Sequence, residues 1–72
     1  MDVSWVNVEF EMDSLKMYDR RVDTSIDRIV IGSETIKITY NQTSKREENY
    51  VKVILIENLL GYEYPIVRGE GI

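Results

Sequence analysis

Arg28-Ile29-Val30-Ile31-Gly32-Ser33-Glu34-Thr35-Ile36-Lys37-Ile38-Thr39-Tyr40 is the stretch from which the architecture of this 72-residue chain is best read. Two β-branched runs flank Gly32-Ser33, the signature of a tight hairpin in which glycine supplies the positive φ of a type II′ turn. A two-residue loop there sets Ile31 opposite Glu34, Ile29 opposite Ile36 and Arg28 opposite Lys37. Ile29, Ile31, Ile36, Ile38 and Tyr40 then share one face; Arg28, Val30, Thr35, Lys37 and Thr39 share the other. An apolar face backed by a polar one is what an antiparallel pair resting on a core requires.

On the N-terminal side, Val6, Val8, Phe10 and Met12 alternate with Asn7, Glu9, Glu11 and Asp13, which predicts an amphipathic strand over Val3 to Met12. Residues 14–25 admit two readings. Asp13 can cap a short helix striped by Leu15, Tyr18 and Val22, or Asp13-Ser14 can turn the chain into a strand bearing Leu15 and Met17. On the C-terminal side, a polar loop from Asn41 to Asn49 precedes Tyr50-Val51-Lys52-Val53-Ile54-Leu55-Ile56. That run is apolar on both faces, the pattern of a central strand. A helix opened by a capping box at Ser44-Lys45-Arg46-Glu47 and closed by Gly61 competes, but β-branched residues lose side-chain freedom on a helix. The tail from Gly61 to Ile72 has Pro65 and three glycines, with room for a short edge strand at Tyr64 to Val67. The expected fold is mainly β in one domain, residues 1–72: a small antiparallel sheet or partly open barrel of four to five strands. One short helix can be accommodated, with α+β as the alternative.

Composition narrows the function classes. The chain has no cysteine and no histidine, so disulfides, thiolate metal sites, thiol nucleophiles and the commonest general base are all missing. No cofactor or metal is expected. There is no phosphate-binding loop and no dinucleotide fingerprint, Gly69-Glu70-Gly71 lacking a third glycine. The longest apolar run, Val53 to Ile56, is far short of the ~20 residues a membrane span needs. An acidic N-terminal stretch without Lys or Arg is the reverse of a secretory signal, so a cytoplasmic protein is expected. Net charge is −4, with eight acids against four bases in residues 1–36 and five of each in residues 37–72. The whole excess lies in the first half, which argues against nucleic-acid binding and suits a protein partner with a basic surface.

Two surfaces are candidate protein-binding sites. Glu9, Glu11 and Asp13 would project from one strand face at intervals of ~6.6–6.8 Å. Such a row could serve a carboxylate-based hydrolase, but an exposed face gives no reason for one acid to hold its proton, and that reading is remote. It has about half the axial charge density of one DNA strand, or it is simply the solvated side of the strand. In that sheet, Glu9 and Glu11 could also neutralise Arg28 and Lys37. Tyr62 and Tyr64, beside Pro65, offer amphipathic contact area of the kind enriched where proteins meet; equally, they could close one end of a small core. No motif carries a family resemblance. Size and composition alone suit the small inhibitors and accessory proteins of phages and mobile elements. The expected function is a non-catalytic protein-binding module, an inhibitor or adaptor acting on a larger enzyme or complex. The alternative is a self-assembling structural or accessory subunit, and a small core without staples makes a homo-oligomer an expectation in either case.

Overall fold

A computed structural model describes residues 1–11, 14–42 and 47–66. The described chain is mainly β and antiparallel: β1 (Trp5–Glu9), β2 (Leu15–Asp19), β3 (Ile26–Ile31), β4 (Thr35–Tyr40), β5 (Tyr50–Leu55) and β6 (Gly61–Glu63), with a 3₁₀ turn at Ile56–Asn58. Six short strands form two three-stranded sheets ordered β2-β1-β6 and β3-β4-β5. The strand at residues 15–19 settles the ambiguity of that region; among the described residues the last strand precedes Tyr64 instead of starting there, and Val67 lies outside the described residues.

The hairpin forms where expected but in a different register. Ile31 pairs with Ile36, Ile29 with Ile38 and Val30 with Lys37, and the Gly32 N–H donates to the Thr35 carbonyl at 2.8 Å. The turn is therefore centred on Ser33-Glu34, and Gly32 does not adopt a left-handed φ. Moving the turn by one residue changes every partner by two positions, which leaves each side chain on its original face. The five apolar residues read from the sequence are accordingly all buried. The same shift sets Arg28 opposite Thr39, with a bulge only beyond it toward Ile26, so the expected clash of Arg28 with Lys37 does not arise. Arg28 instead donates to Asp2 at 2.7 Å, and Glu9 and Glu11 play no part in neutralising it.

Val3, Val6, Val8 and Tyr18 meet Ile26, Ile29, Ile31, Ile36, Ile38, Tyr40 and Ile54 in one core between the sheets. Ile29, Ile36, Ile38, Val6 and Val8 are fully buried. Each such side chain is worth about 1.5–3 kcal/mol in surface removed from water. Tyr40 and Tyr50, directly opposed across β4 and β5, stack at 4.6 Å with planes 4° apart. None of the four leucines enters this core: Leu59 is half-buried, and Leu15, Leu55 and Leu60 are exposed. Among the described residues, eleven apolar side chains are buried and ten large ones are exposed.

Three of those ten lie on β5. Pairing Ile36 with Ile54 and Ile38 with Lys52, it lies at the end of its sheet and not at the centre, as its two apolar faces predicted. Ile54 points into the core at 7% exposure, whereas Val51, Val53 and Leu55 face outward at 51%, 50% and 45%.

Candidate functional site: the open edge beside β2 and β5

Four strand edges bound the two sheets, and they are treated differently. The edge of β3 is covered by the chain's own start: the Val3 N–H donates to the Ile29 carbonyl, the Ile31 N–H to Met1, and the Met1 ammonium to Ile31. β6 is only three residues long. Among the described residues, nothing pairs with the outer edges of β5 and β2.

Hydrogen-bond phase identifies what β5 presents. The Ile56 N–H donates to the Glu34 carbonyl at 3.0 Å, in the same register that pairs Ile36 with Ile54 and Ile38 with Lys52. Antiparallel ladders alternate, so Lys52 and Ile54 bond to β4 while the backbone groups of Val51, Val53 and Leu55 point away from it. No described residue bonds to those outward groups. The same alternation on β2, set by Phe10 N–H donating to Ser14 and Arg20 N–H to Ser4, turns Leu15 and Met17 toward its free side.

The two open edges lie on the same side of the molecule, bridged by a polar contact. Lys52 faces the inner side of β5, its stem beside Ile38, and its Nζ donates to the Tyr18 hydroxyl of β2 at 3.2 Å. The same ammonium lies 5.4 Å from the Tyr18 ring centre, and Lys16 Nζ lies 5.8 Å from it. Such lysines bury an aliphatic stem while keeping the charge at the rim. Neither has a carboxylate partner among the described residues. The nearby acids are engaged elsewhere: Asp19 receives two bonds from the Arg21 guanidinium, and Asp23 accepts from Ser25. The Arg21 bond holds the Asp19 carboxyl below the usual range. Shallow grooves of ≈ 390 and ≈ 300 Å³ run along this side, both lined by Tyr18 and Lys52.

The residues singled out from sequence fall elsewhere. Glu9 ends β1 opposite Leu15 and Gly61, and shares a groove with Tyr62, Glu63 and Asn7. Tyr62 and Tyr64 stack at 5.8 Å, Tyr62 being exposed and Tyr64 packed on the core. Glu11 is exposed beyond the end of β1, so that strand carries Glu9 but not Glu11 of the acidic row. Asp13 lies outside the described residues. The structure thus brings Glu9 and Tyr62 together. In that groove the Asn7 amide donates to Glu63 at 3.0 Å while its buried Oδ1 has no partner. Among the described residues, no group of three or more carboxylates could hold a metal ion, and no helix is long and apolar enough to cross a membrane.

Comparison with family models, with curated proteins and with solved structures finds no match.

Sequence reasoning missed Val51, Val53, Leu55, Lys52, Lys16 and Tyr18 as a site. The signal was the two-faced strand 50–56 itself, whose outer apolar row was assigned to burial inside the sheet.

Proposed function

We propose that the protein is a non-catalytic protein-binding module that receives an extended segment of a partner along the free edge of β5. The observation that carries this reading is the coincidence, at Val51, Val53 and Leu55, of unpaired backbone groups with exposed apolar side chains. Added strands gain affinity from main-chain hydrogen bonds and selectivity from alternate side chains, and β5 offers both. Natural edges are usually blunted by bulges, prolines, short length or an inward-pointing charge; β5 is six residues with no bulge or proline, and Lys52 is the one such device it carries. A module of this kind acts as an inhibitor or an adaptor by capturing a strand-forming segment of a larger protein. The surface of Glu9, Tyr62 and Tyr64 would be a separate contact for the same partner or another.

Val53→Pro tests the reading. Proline is tolerated on an edge when its missing N–H points outward, as that of Val53 does. The probe is a blocked six-residue peptide of alternating valine and threonine. The reading expects binding by the native chain, with loss of binding and a retained cooperative melt in Val53→Pro. Equal binding by both chains refutes it.

A further inference from the structure

On the open side Lys16 and Lys52 have no ion-pair partner among the described residues although the chain as a whole is acidic, and this specifies the kind of strand it takes. We infer that the segment received on β5 is an amphipathic β-strand of a partner protein, apolar on one face and acidic on the other. This rests on the reading that β5 accepts a strand.

The geometry assigns the two faces separately. A strand added beyond β5 continues both surfaces of the sheet. Its outward residues lie beside Val51, Val53 and Leu55 and extend an apolar row. Its inward residues lie beside Lys52, on the side where Lys16 and Tyr18 face it from β2. Carboxylates there would meet two ammonium groups that lack an ion-pair partner among the described residues. Lysine at the inward positions would add like charge to a rim already holding two cations.

The same reasoning disfavours a second copy as the occupant. A two-fold antiparallel pairing centred on Val53 sets Val51 opposite Leu55 of the other chain and matches the apolar row. It also sets Lys52 opposite Ile54 of the other chain, leaving the two Lys52 residues as diagonal neighbours. Diagonal neighbours on a sheet lie ~7–8 Å apart, within reach of long side chains. Both Lys16 residues would approach the same seam. Four cations would then gather with only the Asp23 carboxylate of each copy nearby and outside an ion pair, whereas an acidic strand neutralises two and gathers none.

Three blocked hexapeptides separate the possibilities: alternating valine–glutamate, valine–threonine and valine–lysine, titrated into ¹⁵N-labelled protein at two salt concentrations. The expected order of affinity is glutamate over threonine over lysine. The glutamate advantage over threonine should be about tenfold at low salt, the scale of two partly exposed ion pairs, and should shrink as salt rises. Lys16→Glu with Lys52→Glu should reverse the order, and Lys16→Gln with Lys52→Gln should level it, which keeps the test valid if glutamate at 52 disturbs Tyr18. Equal binding of all three peptides, or preference for lysine, overturns the acidic-strand inference while leaving strand addition standing. Failure of every peptide to shift Val51, Val53 and Leu55 overturns strand addition itself. Concentration-dependent protection of those amides without peptide overturns the inference in favour of a second copy.

Discussion

Ile54 and Leu55 are neighbours on one strand, yet truncating them to alanine should have very different costs. Both changes replace a large aliphatic side chain by the same residue in the same strand, so the difference in backbone preference largely cancels. Ile54 is 7% exposed and sits among core residues of both sheets, so Ile54→Ala both loses transfer energy and leaves a cavity, at about 2–5 kcal/mol. Leu55 is 45% exposed, and water fills whatever space its truncation leaves. Only about half of a full burial worth 1.5–3 kcal/mol is at stake, so Leu55→Ala should cost about 1 kcal/mol. A chain of 72 residues at ~0.05–0.15 kcal/mol per residue has only about 4–11 kcal/mol in all, so Ile54→Ala should use up a large part of it. Urea denaturation at constant m-value gives both numbers, and repeating it over a hundredfold range of protein concentration checks for association. If Leu55→Ala costs as much as Ile54→Ala, the outer face of β5 is covered in solution and the open-edge account fails.

Other outcomes follow from the same geometry. Gly32→Ala should cost no more than ~1 kcal/mol, because the backbone is not left-handed, although the added Cβ comes within 3.2 Å of the Thr35 carbonyl and the turn must give by a few tenths of an ångström. A larger loss would restore the turn centred on Gly32-Ser33. Glu9→Lys combined with Glu11→Lys should move the melt by no more than ~0.5 kcal/mol, since both are exposed and Arg28 is held by Asp2. A large drop would mean that these acids offset charge across the sheets. Asp2 and Asp19 have carboxyls held below their ordinary value of 3.8, first by hydrogen bonds from Arg28 and Arg21. Groups with depressed folded-state values contribute stability above the unfolded value and lose it as pH falls through the folded one. Asp2→Asn should therefore flatten the stability profile below about pH 4, in urea melts taken from pH 2 to 7, and high salt should mask the difference.

The face assignment of the central hairpin was legible because side-chain alternation survives a shift of the turn; the turn itself was not. Gly-Ser fits the local preference for positive φ, but the chain instead centres the reversal on Ser33-Glu34, bringing Ile31 opposite Ile36 and Ile29 opposite Ile38. Cross-strand apolar pairs outweighed turn chemistry. The extent of β1 was overestimated because Phe10, Met12 and their acidic neighbours keep the alternation past Glu9, where the backbone already turns toward Ser14. The open edge was unreadable for a different reason. An apolar outer row looks the same in sequence whether another strand of the chain covers it or a partner does. Which neighbour Val51, Val53 and Leu55 have is a property of topology, and topology ends the sheet at β5. The link between Lys52 and Tyr18 was likewise invisible, since it joins residues 34 positions apart on different sheets.

Amide hydrogen exchange along β5 tests the central claim most directly, because adjacent residues on one strand serve as each other's controls. In the free protein, Lys52 and Ile54 should exchange slowly through their bonds to β4, while Val51, Val53 and Leu55 exchange at nearly unhindered rates. Saturation with the valine–glutamate peptide should slow those three amides and leave the alternation elsewhere unchanged. Protection of Val51, Val53 and Leu55 before any peptide is added, or rapid exchange at saturation, would contradict the account.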